Sequence, residues 1–110
     1  MSVALITGAT RGIGKQIALT LSKAGFDIAI NYRKENDELK SLKEEIEVNK
    51  VKCLLVQGDV SNFDDCERFV KETVEKLGSI DVLVNNAGIT KDMLLMRMKK
   101  EDFEQVIDTN

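Results

Sequence analysis

Apolar and polar positions follow two rhythms along these 110 residues. Four short runs are mostly apolar: "VALI" (Val3 to Ile6), "DIAIN" (Asp27 to Asn31), "VKCLLV" (Val51 to Val56) and "IDVLVN" (Ile80 to Asn85). Runs of this kind suit strands buried on both faces. Between them, apolar residues recur at helical spacing. Ile13, Ile17, Ala18, Leu21 and Ala24 form one stripe, and Gly25 follows where a left-handed stop is wanted. Leu39, Leu42 and Ile46 mark a second helix, whose other faces are mainly Lys, Glu and Asp. Cys66, Phe69, Val70, Val74 and Leu77 mark a third. Ser61 with Asp64 predicts a capping box at its start, and Gly78 its end.

Strand and helix therefore alternate, the pattern of a parallel sheet with right-handed crossovers. No linker, low-complexity tract or close repeat interrupts it. The stretch "MLLMRMKK", Met93 to Lys100, predicts a loop or short helical turn. A fourth helix is expected from Glu101, with Phe103, Val106 and Ile107 inward. No glycine, proline or cap follows these residues in "QVIDTN", so the chain is expected to stop inside that helix.

Composition narrows the function classes. The chain is 43% hydrophobic and 32% charged, with a net charge of −3. These values describe an ordinary globular chain and argue against nucleic-acid binding, since an acidic surface repels a phosphate backbone. No apolar run reaches the roughly 18–20 residues of a membrane span, and the N-terminus lacks a secretory layout. Cys53 and Cys66 have neither metal-ligand nor CxxC spacing and read as structural thiols. The default compartment is cytoplasmic. Histidine is absent and Tyr32 is the only tyrosine; no metal site is expected.

Chemistry enters with "TGATRGIG", Thr7 to Gly14. Gly8 permits a sharp turn after the first strand, and Gly12 and Gly14 let backbone approach a ligand and the helix pack on the strand. The helix then opens with free N–H groups and the positive end of its dipole, which suits a pyrophosphate. Gly8, Thr10, Arg11, Gly12, Ile13 and Gly14 are the candidate phosphate-binding residues. The competing reading is a plain structural turn, but this turn follows a strand and opens a helix, as a dinucleotide site requires.

The spacing Thr-Gly-x-x-x-Gly-x-Gly, together with "NNAG" (Asn85 to Gly88) ending the fourth strand, resembles the short-chain dehydrogenase/reductase family. That resemblance implies a Rossmann-like, doubly wound parallel α/β sheet, of which these strands form the N-terminal half in the order 3-2-1-4. It implies that residues 1–110 are the NADP-binding half of such a domain, cut within the fourth helix. It also places Asn86, Ala87 and Gly88 beside the cofactor, and Asp59 and Val60 of "GDV" at the adenine. A turn held by Asx hydrogen bonds also accounts for Asn85 and Asn86, and a loop carboxylate near a helix N-terminus for Asp59.

The second strand ends Asn31-Tyr32-Arg33 with no acid before Glu35. An acid there would bind the ribose 2′-hydroxyl of NAD, whereas Arg33 can pair with the 2′-phosphate of NADP. Arg11 is a second cation of that sort. NADP(H) is therefore the expected cofactor, with Tyr32 and Arg33 at its adenosine end; two solvated arginines are the alternative.

The run from Asn85 to Asn110 is similar to the bacterial 3-oxoacyl-(acyl-carrier-protein) reductases of fatty-acid biosynthesis, with acetoacetyl-CoA reductases close behind. This similarity implies an acyl-carrier-protein thioester as substrate partner and a homo-oligomer. In the family a serine and a Tyr-x-x-x-Lys pair supply the proton and stabilise the alkoxide, and an asparagine on the fourth helix holds a water against the lysine. Of these residues Asn110 alone has a counterpart, the one catalytic candidate. Tyr32 is followed four residues later by Asn36, not lysine. The chain by itself is expected to be inactive, which leaves a non-catalytic nucleotide-binding module as the second reading. A receiver would need an acidic pair where Gly8-Ala9 stands, and a flavodoxin a Ser/Thr-rich loop. The fourth strand is expected to be an open sheet edge that promotes dimerisation or aggregation. Lys91, Arg97, Lys99 and Lys100 form a basic cluster that reads as a solvated face.

Overall fold

A computed structural model describes residues 2–9, 12–85 and 94–98 of the protein. In chain order it contains β1 (Val3–Thr7), α1 (Gly12–Lys23), β2 (Asp27–Tyr32), α2 (Asp37–Glu47), β3 (Cys53–Gln57), α3 (Phe63–Leu77), β4 (Ile80–Asn85) and β5 (Leu94–Met98). The sheet order is β3-β2-β1-β4-β5. The first four strands run parallel in the expected 3-2-1-4 arrangement.

Central β1 is buried at every position, because it has strands on both sides and helices on both faces. Ala4, Ile6, Ile28 and Ile30 face one layer, where Ala18 of α1 and Leu39, Leu42 and Ile46 of α2 close over them. Leu5, Ala29, Val56 and Ile80 face the other, beneath Phe69 and Val74 of α3. The stripes of α2 and α3 thus lie where their spacing puts them.

The polar ends of the sheet are satisfied by side chains. At the amino edge, Asp81 Oδ2 accepts from the Val3 N–H at 2.8 Å and Asp27 Oδ1 accepts from the Lys52 N–H at 2.9 Å. Gly25 and Gly78 close α1 and α3 with φ of 97° and 96°, conformations that cost a side chain strain.

Four expectations need correction. The inward face of α1 is Gly14, Ala18 and Ser22 rather than the larger apolar stripe. Small residues at i, i+4 spacing let the helix approach β1 closely, so Ile17 and Leu21 pack at its flank while Ile13 is 62% exposed and Ala24 is exposed. The cap of α3 is Asn62, not Ser61: its side chain accepts from the Asp65 N–H, and the helix starts one residue later. β3 and β4 pack on both faces as expected, with Cys53, Leu55, Val82 and Val84 in one layer and Leu54, Val56, Ile80 and Leu83 in the other, although several of these positions are only half-buried. The run after position 93 is not loop or helix but strand: β5 pairs antiparallel with β4, Asn85 opposite Leu94. β4 is consequently no open edge, since β5 takes its outer hydrogen-bonding groups. The fourth helix expected from Glu101, with Phe103, Val106 and Ile107, lies outside the described residues.

Candidate functional site

In a parallel βα unit every strand delivers the chain to the same edge of the sheet, and every following helix starts there. Four segments therefore converge at the carboxyl edge: the turn after β1, Tyr32 and Arg33 at the end of β2, Gly58 to Ser61 after β3, and Asn85 at the end of β4.

The turn after β1 has Gly8 at φ 65° and Gly12 at φ 57°, both in the left-handed region that only glycine enters cheaply. Among the described residues, a Cβ added at Gly12 would meet nothing within 4 Å. Gly14 is buried against the sheet and Ile13 projects outward. The three helix starts differ. α2 and α3 are capped by Asn36 and Asn62 and carry acids in their first turns, Asp37 and Glu38, and Asp64 and Asp65. α1 opens Gly12-Ile13-Gly14 with no acid in its first turn. Unlike those of α2 and α3, its first turn thus carries no acid of its own against the positive end of the dipole, an arrangement that fits a bound phosphate.

One level of the sheet is polar. Thr7 lies in register between Asn31 of β2 and Asn85 of β4. The Thr7 hydroxyl lies 3.1 Å from Asn85 Oδ1 and 3.4 Å from the Val84 carbonyl. Asn31, buried, donates through Nδ2 to the carbonyls of Val56 at 3.2 Å and Gly58 at 3.1 Å. Gly58 returns a bond from its N–H to the Tyr32 carbonyl at 2.9 Å. Its Cβ, had it one, would lie 2.7 Å from the Phe69 ring. The loop after β3 is thereby fastened to β2 and seated on α3.

That loop orients Asp59. Its N–H donates to Asp65 Oδ2 at 2.9 Å, and its Oδ1 accepts from the Ser61 N–H at 2.9 Å and the Ser61 hydroxyl at 2.7 Å. Asp59 Oδ2 is left facing Arg33, whose Nη2 stands 3.6 Å away. The two Ser61 bonds, helped by the Arg33 guanidinium, hold the carboxyl below the usual carboxylate range. Val60 is half-buried against the α3 layer. Tyr32 is half-buried on the opposite face, packed with α1 and α2.

Gly8, Gly12, Ile13, Gly14, Tyr32, Arg33, Asp59 and Val60 thus all lie at or beside one edge, drawn from three strand ends. Thr10, Arg11, Asn86, Ala87, Gly88 and Asn110 fall outside the described residues, as do Lys91, Lys99 and Lys100. Asn31 and Ser61 carry roles at this edge that the sequence pattern does not assign to them. A lone amide in the apolar run of β2 was the available sign of the first. Spacing assigns Ser61 to a helix cap, whereas its hydroxyl donates to Asp59.

Among the described residues no group of acidic or cysteine side chains could hold a metal ion, and no helix is long and apolar enough to cross a membrane. An open groove on the outer face of α3, lined by Asp64, Glu67, Arg68, Lys71, Glu72 and Glu75, mixes both charge signs. Local pairs such as Lys76–Glu72 at 3.1 Å make that face an ordinary solvated one.

The family profile described as short chain dehydrogenase matches residues 2–110. The chain is 50% identical over 107 residues to the 3-oxoacyl-[acyl-carrier-protein] reductase FabG of Staphylococcus epidermidis, covering 97% of this chain and 44% of that protein. It is 47% identical over 108 residues to the 3-oxoacyl-[acyl-carrier-protein] reductase of Synechocystis, again 44% of that protein. The chain thus spans less than half the length of these relatives. Among solved structures, a blue fluorescent protein from a metagenomic library in complex with NADPH superposes with a TM-score of 0.75 at 36% identity, over 80% of this chain and 36% of that one. Acetoin dehydrogenase YohF of Salmonella typhimurium gives 0.73 at 31% identity, over 82% and 37%. Fold, glycine turn and sequence agree, and the chain belongs to the short chain dehydrogenase family.

Proposed function

We propose that these residues form the nucleotide-binding portion of an NADPH-dependent 3-oxoacyl-(acyl-carrier-protein) reductase. The observation that carries the reading is the glycine turn at the start of α1, at the carboxyl edge of a 3-2-1-4 sheet. The backbone of Gly8, Thr10, Arg11, Gly12, Ile13 and Gly14 would cradle the pyrophosphate. Asp59 and Val60 would flank the adenine, and Asn86, Ala87 and Gly88 would line the approach to the nicotinamide. Tyr32 and Arg33 stand where NAD enzymes carry an acid, and Arg33, with Arg11, would take the 2′-phosphate. The bound dinucleotide supplies the hydride for a 3-oxo thioester.

The 110 residues supply no proton donor of the Tyr-x-x-x-Lys kind, Tyr32 being followed by Asn36 at that spacing. Asn110 is the one residue here assigned to the catalytic machinery, as holder of a water. Reduction therefore belongs to a protein that also carries the serine, tyrosine and lysine. On their own these residues bind nucleotide and reduce nothing. The carrier-protein thioester as partner, a homo-oligomeric assembly and a cytoplasmic setting complete the proposal; the Staphylococcus and Synechocystis relatives support the first.

Calorimetric titration with NADPH and NADH tests the reading. NADPH should bind at least tenfold tighter, and Arg33→Ala should reduce the difference. NADH binding as tightly as NADPH would sink the assignment. With acetoacetyl-CoA and NADPH, absorbance at the reduced-nicotinamide band should stay constant.

A further inference from the structure

The ion pair between Arg33 and Asp59 sits where the 2′-phosphate is proposed to bind, and its two members are held very differently. Asp59 is anchored at three points: its N–H by Asp65 and its Oδ1 twice by Ser61. The loop beneath it is fastened by Asn31 and by the close seat of Gly58 on Phe69. These bonds hold the carboxylate in place beside Arg33. Arg33 lies one residue beyond β2, its side chain 77% exposed against 32% for Asp59. The 3.6 Å separation through one terminal nitrogen is a loose contact rather than a bidentate fork. The guanidinium is the more exposed and less restrained member, and Asp59 Oδ2 already stands beside its Nη2.

We propose that Asp59 is a specificity-determining residue that competes with the cofactor 2′-phosphate for Arg33, and so limits the preference for NADPH over NADH. The inference rests on the NADP(H) reading above. A phosphate monoester carries up to two charges near neutral pH and attracts Arg33 more strongly than one carboxylate does. Binding still has to draw the guanidinium off Asp59. NADH has no 2′-phosphate and leaves the pair closed, so the cost falls on NADPH alone. An exposed pair of this kind corresponds to a factor of about two to five in affinity. Ser61 is a positioning residue in this scheme, since it aims Oδ2 at Arg33 by holding Oδ1.

The test is the ratio of NADH to NADPH dissociation constants, in which any shared effect on adenine binding cancels. Asp59→Asn keeps an acceptor for Ser61 and removes the charge. It should raise the ratio about two- to fivefold with Arg33 present, and leave it unchanged in an Arg33→Ala background. An unchanged or lower ratio with Arg33 present overturns the proposal. An equal rise without Arg33 also overturns it, because the carboxylate would then act on the phosphate directly. Nuclear magnetic resonance of the unmutated protein reads the same event if the variant fails to fold. The Asp59 carboxyl carbon and Arg33 side-chain nitrogens should shift with NADPH and not with NADH; identical shifts with both would refute the competition. Binding of neither nucleotide overturns the NADP(H) reading along with this one. A clear NADPH preference that Asp59→Asn does not alter defeats this one alone.

Discussion

Single residues here are governed by what burial does to a polar or reactive group. Cys53 is buried in the α2 layer, and burial, reinforced by Glu47, pushes its thiol up to about 12. The thiolate is the reactive form, so at pH 8 Cys53 should react with a thiol reagent only after denaturation. Cys66, half-buried and close to the Val60 carbonyl, is shifted the same way, by burial first and then Asp65 and Asp59. It should react faster than Cys53 but more slowly than a free thiol, and rapid labelling of Cys53 in the folded protein would contradict its burial. Gly58 shows the opposite constraint, absence of space. Gly58→Ala must push Phe69 or the loop aside and should cost about 1–3 kcal/mol in chemical denaturation. Nothing in the sequence marked that glycine as the tight one. Its neighbour Phe69 lies on another element, so only the packing reveals the contact.

At the scale of elements, caps and stripes were legible to different degrees. Periodicity located Leu39, Leu42 and Ile46 correctly because an exposed, charged helix has one face to bury and no alternative. Ile46 is fully buried, and Ile46→Ala should lower stability by about 2–5 kcal/mol, measured by urea unfolding. For α3 the capping residue was read one position early. Ser61 and Asn62 are both good N-caps by type; in the fold Asn62 Oδ1 accepts from the Asp65 N–H, while the Ser61 hydroxyl donates to Asp59. Asn62→Ala should therefore cost about 1 kcal/mol. Ser61→Ala should cost less, and an equal or larger cost would restore Ser61 as the cap. α1 departs from its stripe in the other direction. Its larger apolar residues suggested the buried face, but close approach to the sheet selects Gly14, Ala18 and Ser22. β5 was missed because a five-residue apolar run has no period that separates strand from loop until a partner strand is known.

For the molecule as a whole, ligand linkage offers a direct check. A nucleotide that binds only the folded form, at ~100 times its dissociation constant, adds about 2.7 kcal/mol. NADPH should therefore raise the melting temperature by several degrees, NADH at the same concentration by less. Equal shifts, or none, would count against the assembled carboxyl edge as a dinucleotide site. Much of that edge follows from sequence alone. The alternation of apolar runs with amphipathic stripes implies a parallel sheet, because parallel strands need crossovers and crossovers bury both sheet faces. The glycine spacing marks the strand end proposed to admit a phosphate, since tolerance of positive φ is a property of the residue itself, whereas the space around it is set by packing. What sequence does not contain is the set of contacts between residues far apart in the chain. Asn31 tying down the loop after β3, and Thr7 aligned between Asn31 and Asn85, arise only when strands lie side by side in register. The same holds for Asp59 turned by Ser61 toward Arg33. Local chemistry chose the elements and the glycine turn; tertiary packing decided which polar groups meet, because hydrogen bonds and ion pairs depend on distances that only the folded chain sets.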